Sequence, residues 1–320
     1  MAAKFKVVTL STFSQLFELE ADILAKAGGE LTAFKPGGEQ QLISVLRDAD
    51  AILTGRTQVT AKIIDSLDKC KIIVRCGIGV DNIDVQAATR RNIIVSNVPD
   101  YCVDEVSDHA LALLFSWARR IAQSDKLVKS GKWGVQELPS LSRLRGQNLG
   151  ILGFGRIGRA VAEKALPFGL RILVCDPYLS EQMMDQKRFR LVDFDTLVRE
   201  ADYITIHVPL TPDTRGMFGE KEFEKMKPSA FLINAARGGI VDEHALANAV
   251  SAGRIAGAGL DALVKEPPES HSPLLKMDNV LITPHSAWYS EEAFIELHRK
   301  AAEEAARVLR GEPPLYSVTS

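Results

Sequence analysis

Gly153-x-Gly155-x-x-Gly158 follows the apolar run Leu149–Leu152 and opens a helix-forming stretch, and no other feature limits the fold so tightly. Glycines in this order, between a strand and a helix, belong to a parallel βαβ unit. Gly153 permits the tight turn, Gly155 lets the backbone approach a pyrophosphate, and Gly158 lets the helix pack close to the strand. Arg156 and Ile157 complete the loop. The helix start would then face phosphates with unpaired N–H groups and the positive end of its dipole. Asp176 ends the next strand, 23 residues after Gly153, where a carboxylate can accept from ribose hydroxyls. That charge repels a 2′-phosphate, so the pattern predicts NAD rather than NADP.

The rest of the chain carries the same alternation. Lys6–Leu10, Leu31–Phe34, Ala51–Thr54, Ile72–Arg75 and Ile93–Asn97 read as strands. Helical stretches separate them near Ser14–Ala27, Gln40–Leu46, Ala61–Leu67 and Asp84–Arg91. A second series of strands covers Leu149–Leu152, Arg171–Cys175, Tyr203–His207, Ala230–Asn234, Ile255–Leu260 and Val280–Ile282. Apolar strands alternating with helices predict parallel sheets covered on both faces, an α/β chain with two doubly wound sheets. At 320 residues it exceeds what one core usually holds, so two domains are expected. One long helix is predicted over Val103–Lys129; its apolar positions suit core packing first and could also supply a subunit interface. A last amphipathic helix runs from Ser290 to Leu309.

A formal net charge of −2 gives no pull toward nucleic acid or an anionic membrane, and neither is expected as a partner. No apolar run approaches the roughly 20 residues that span a bilayer, and the N-terminus lacks the apolar core of a signal peptide. The four cysteines form no CxxC pair and no zinc spacing, so no metal is expected and the location predicted is the cytoplasm.

Three strand ends carry reactive groups: Ala235, Ala236 and Arg237 after one, Asp261 and Glu266 after another, His285 after the last. In an open α/β sheet these ends line the ligand crevice. An arginine fork suits a carboxylate or a polarised carbonyl, and a histidine exchanges one proton near neutral pH. His207, before Pro209, is placed to line the cofactor cleft. His109, on the long helix, His271, in a loop, and His244 and His298, read as exposed, are given no catalytic role. In the first half, Arg75-Cys-Gly77-Ile-Gly79 reads as an anion-binding loop, with the Gly77 and Gly79 N–H groups open to a carboxylate.

Together these segments resemble the D-isomer-specific 2-hydroxyacid dehydrogenase family over essentially the whole chain. The resemblance implies a flavodoxin-like substrate domain from residues 1–98 and 291–320, a Rossmann domain over 99–290, and an active site in their cleft. It implies an NAD-dependent oxidoreductase that reversibly reduces a small 2-oxo acid, most often as a homodimer. His285 would be the proton donor, Glu266 its partner, and Arg237 a substrate-binding group. Asp261 would meet the nicotinamide amide, while Val208, Pro209, Thr214 and Ile78 would flank the cofactor. Val98–Val106 and His285–Glu291 look most like the C-terminal-binding-protein branch, in which the matches of Arg75 and Trp288 contact substrate. Ile78 departs from the serine of the animal members of that branch. An NADH-sensing corepressor-like protein and a phosphoglycerate dehydrogenase are the alternatives; ending at Ser320, the chain would lack the regulatory domain many of the latter append.

Overall fold

The computed structural model describes residues 4–10, 16–35 and 37–319. They form two compact units, Met1–Cys102 with Tyr289–Ser320, and Val103–Trp288. In the first, β1 (Phe5–Thr9), β2 (Gly29–Ala33), β3 (Ala51–Thr54), β4 (Ile72–Arg75) and β5 (Ile94–Ser96) build a parallel sheet in the order β2-β1-β3-β4-β5. The crossovers are α1 (Phe17–Ala25), α2 (Glu39–Leu46), α3 (Ala61–Asp65) and α4 (Val85–Arg90). The helix expected from Ser14 thus begins outside the described residues. Every residue of β3 is buried, which is why its sequence is an unbroken apolar run rather than an alternation. Thr60 and Asp84 cap α3 and α4 by accepting amide protons three residues on.

The second unit starts with α5 (Val103–Ala118) and α6 (Ile121–Lys129). One continuous helix was expected here, and the structure corrects this: Arg120 turns left-handed (φ 54°, ψ 35°) and ends the first helix. No glycine or proline marks the break. The Arg120 guanidinium lies over the Trp117 ring, 3.5 Å from its centroid, and Trp117 stacks on Phe231. Tertiary contact thus overrides local helix preference.

β6 (Asn148–Leu152), α7 (Arg156–Ala165), β7 (Arg171–Cys175), β8 (Phe189–Leu191), α8 (Phe194–Glu200) and β9 (Tyr203–Ile206) follow. Then come α9 (Glu220–Lys225), β10 (Phe231–Asn234), α10 (Glu243–Ser251), β11 (Gly257–Leu260) and β12 (Val280–Ile282). The sheet is parallel, in the order β12-β11-β10-β9-β6-β7-β8, with apolar clusters on both faces. β8, a three-residue edge strand, was not expected; it is too short to carry a period.

The chain returns to the first unit with α11 (Glu291–Leu309), capped by Ser290. His298, read from sequence as exposed, is 2% exposed and its Nδ1 lies 2.6 Å from Glu20 Oε1 on α1. It shares the buried face of α11 with Phe294, Ala301 and Ala305. No helix among the described residues is long and apolar enough to cross a membrane. Replacing His298 with alanine strips the buried Glu20 carboxylate of this partner, a change that costs about 3–5 kcal/mol. Urea unfolding should register that loss, and the paired Glu20→Leu/His298→Leu change should recover much of it. A fully stable single variant would show the pair to be dispensable.

Candidate active site

In the second unit the strand order reverses between β6 and β9, whose loops therefore flank a crevice. At the end of β6, Gly153 has φ +89° and lies against the His207 backbone and Val208; a Cβ there would come within 2.9 Å of both. A Cβ on Gly158 would lie 2.1 Å from the Gly153 carbonyl oxygen, so the first turn of α7 rests on the loop. Gly155 caps α7, is exposed, and has open space beside it. Arg156 is exposed and Ile157 packs on the core. A tight loop, an open glycine and a helix start fit a dinucleotide pyrophosphate.

Asp176 holds this loop. Its Oδ2 accepts the Phe154 amide at 2.8 Å and its Oδ1 the Tyr178 amide at 2.9 Å. The carboxylate is thereby fixed at the end of β7 and stays half-buried, where ribose hydroxyls are expected. Past β9, the Thr214 hydroxyl donates to Pro209 O at 2.6 Å and accepts the Thr211 amide, closing the 208–214 loop. His207 Nε2 is 2.9 Å from Thr205 Oγ1. The residue keeps some surface, but its ring sits deep, and burial pushes its pKa down to about 4. His207 is therefore neutral at physiological pH.

The other strand-end histidine, His285, is held differently. Both Glu266 oxygens are 2.8 Å from His285 Nδ1, and Glu266 Oε1 also accepts the Leu263 amide at 3.0 Å. A carboxylate only accepts, so Nδ1 carries the proton and Nε2 is the nitrogen left for chemistry. The two side chains are 23% and 25% exposed, within reach of a small molecule. His285 has φ +53°, uncommon for a residue with a side chain. Asp261, 2% exposed, accepts from Thr283 Oγ1 at 2.6 Å and from the Ser286 and Ala287 amides at 2.9 Å.

Arg237 is set by Asn234, a group the sequence reading missed. Buried at the end of β10, Asn234 accepts the Ala236 amide and donates to Arg237 O. Arg237 Nη1 donates to Ala236 O, and Ala235 and Ala236 are half-buried beside it. A Cβ on Gly238 would come within 2.0 Å of Leu263 C. Only glycine lets the turn bearing Arg237 pack on the segment bearing Glu266. Trp288 is half-buried where the unit ends.

In the first unit, Arg75 ends β4 and its Nη1 donates to Cys76 O. Its guanidinium lies where a Gly77 side chain would be. The expectation of an open Gly77 amide is corrected: that N–H donates to Arg75 O at 2.9 Å. Ile78 O accepts the Asn97 side chain, and the Ile78 and Gly79 amides meet no backbone acceptor among the described residues. No cluster of metal-ligating side chains is found among them either.

Residues 111–287 match the model of the D-isomer specific 2-hydroxyacid dehydrogenase NAD-binding domain. The chain is 42% identical over 293 residues to a D-3-phosphoglycerate dehydrogenase of Archaeoglobus fulgidus, covering 91% of this chain and 55% of that one. To a glyoxylate reductase of Korarchaeum cryptofilum it is 38% identical over 283 residues, covering 87% and 85%. A crystal structure of D-lactate dehydrogenase from Aquifex aeolicus, complexed with NAD and lactic acid, superposes with TM-score 0.88 at 25% identity, covering 98% and 99%. The chain spans about half the length of the phosphoglycerate dehydrogenases it matches.

Because His207 is held neutral when folded but takes a proton near 6.5 when unfolded, acid favours unfolding. Its contribution is whole above pH 6.5 and is lost as pH falls toward 4, by at most about 3 kcal/mol at 1.36 kcal/mol per unit. Urea midpoints at pH 7, 5.5 and 4.5 should fall less steeply for His207→Gln than for the parent. Parallel curves would refute the assignment.

Proposed function

The chain belongs to the D-isomer-specific 2-hydroxyacid dehydrogenase family, and on that premise we propose that it reversibly reduces a small 2-oxo acid to the D-2-hydroxy acid with NADH. The observation that carries this reading is the Glu266–His285 pair, in which both carboxylate oxygens lie 2.8 Å from Nδ1, so that Nε2 would be the nitrogen that exchanges a proton with substrate. Val103–Trp288 would act as the NAD-binding domain and the first unit as the substrate domain. Gly153, Gly155 and Gly158 with the start of α7 would hold the pyrophosphate. Asp176 would accept from the adenosine ribose and repel a 2′-phosphate, and Val208, Pro209, Thr214, Ala235 and Ala236 would flank the cofactor.

Bound NADH supplies the hydride that reduces C2. Arg237 binds and polarises the ketone, its fork matching the oxygen that gains charge. Protonated His285 gives its Nε2 proton to that oxygen, while Glu266 keeps Nδ1 hydrogen-bonded and the ring oriented. In the oxidative direction neutral Nε2 takes the hydroxyl proton. Arg75 and the Ile78 and Gly79 amides would bind the carboxylate, Gly77 giving Arg75 its room, and Trp288 would bound the substrate side chain.

A second reading, oxidation of 3-phosphoglycerate, is favoured by relatives of that name at 41–42% identity. We also propose a homodimer, supported by α6, none of whose residues is buried, and by Trp133 and Val135, 86% and 84% exposed. The burial of all four cysteines suits a reducing cytoplasm.

A panel of glyoxylate, pyruvate, hydroxypyruvate and 3-phosphohydroxypyruvate, run with NADH and NADPH, tests both readings. Turnover with NADH is expected, with NADPH weaker, and His285→Ala should lower kcat at least about 100-fold with NADH affinity little changed. Near-normal turnover of that variant would sink the role of His285. Light scattering should give a dimer mass, with Trp133→Asp/Val135→Asp shifting it toward the monomer; a monomeric parent would refute the dimer.

A further inference from the structure

We propose that His109, on α5, is a positioning residue for proton transfer at His285, acting through Thr283 and Asp261; the inference rests on the reading of His285 just given. His109 Nε2 lies 2.9 Å from Thr283 Oγ1 and 3.6 Å from Asp261 Oδ1. Thr283 Oγ1 is in turn 2.6 Å from Asp261 Oδ1. The direction of this chain follows from its end. A carboxylate only accepts, so Thr283 gives its single proton to Asp261 and has only a lone pair for His109. His109 must therefore donate from Nε2, in either of its charge states that carries that proton. The threonine hydroxyl, satisfied on both sides, is locked toward Asp261.

That lock matters because of what Asp261 holds. Its carboxylate grips the turn on both sides of the reacting residue, through Thr283 before it and the Ser286 and Ala287 amides after it. His285 itself, at φ +53°, sits in a backbone conformation that costs about 1 kcal/mol or more without glycine and lasts only where the surroundings impose it. Its own amide donates to Thr283 O at 3.0 Å, tying the turn to the same threonine. From that backbone the ring meets both oxygens of Glu266. His109 thus connects a sixteen-residue helix to the turn that aims the imidazole. A misplacement near 1 Å at a reacting group can cost up to about 100-fold in rate.

A histidine that merely packs α5 would affect stability, and not kcat in particular. His109→Leu removes the donor, His109→Gln keeps an N–H near the place of Nε2, and Thr283→Val removes the hydroxyl at nearly constant shape. With the four acids of the panel, His109→Leu should lower kcat about tenfold or more while KM, NADH affinity by fluorescence titration and thermal midpoint stay close to the parent. His109→Gln should recover most of kcat. His109→Leu/Thr283→Val should fall no further than Thr283→Val alone, because both act on one chain. Unchanged kcat in His109→Leu, no recovery with glutamine, or independent additive losses would each overturn the inference. Where His109→Leu does not fold, Thr283→Val against Thr283→Ser decides in the same way. An active His285→Ala would instead strike at the underlying reading, whatever His109 does.

Discussion

Every paired strand of the second unit is parallel, and the whole arrangement of chemistry depends on that. A parallel neighbour is reached only by a crossover, so each strand enters the sheet from one end and leaves at the other. The loops after β6, β7, β9, β10, β11 and β12 must then open at a single edge. They carry Gly153, Asp176, His207, Arg237, Asp261 and His285, residues up to 132 positions apart in sequence. The reversal between β6 and β9 parts the loops there and leaves room for a ligand.

An edge made of loops has a second problem, which three strand-terminal side chains solve in the same way. Loops leave amide protons without sheet partners, and near a core these must find acceptors. Asp176 takes those of Phe154 and Tyr178, Asn234 that of Ala236, and Asp261 those of Ser286 and Ala287. Each such residue has a structural duty that is independent of any ligand. For Asp176 the duty and the expected recognition coincide, since holding the loop also places a negative charge at the end of β7. For Asp261 the duty is the aim of His285, and any contact with nicotinamide would be added to it.

Strands buried on both faces announce themselves as apolar runs, so most of both sheets was legible in the sequence, as were the glycine loop and its aspartate. What escaped was set by contact rather than by pattern. The break at Arg120 has no local signal, because the guanidinium's stacking on Trp117 outweighs helix preference. β8 is an edge strand of three residues, below the length at which periodicity means anything. His298 was misread as exposed. Its spacing from Phe294 and Ala301 places it on the buried face, and the partner that makes this tolerable, Glu20, is 278 residues away. Asn234 and Thr283 were overlooked because neutral side chains carry no chemical signal until their partners are seen.

His207 and His285 show why residue type and strand-end position do not assign an acid–base role. Both follow strands of one sheet, and both keep some exposure. His207 faces the hydroxyl of Thr205, and burial alone acts on it, driving it to the neutral form. His285 faces a carboxylate that only accepts, so its ring has one nitrogen committed and one available. That carboxylate comes from a segment packed against the Gly238 turn, an approach that any side chain at position 238 would block. Whether a strand-end imidazole of this sheet has a carboxylate to face is therefore decided by a hydrogen atom at position 238 as much as by either imidazole.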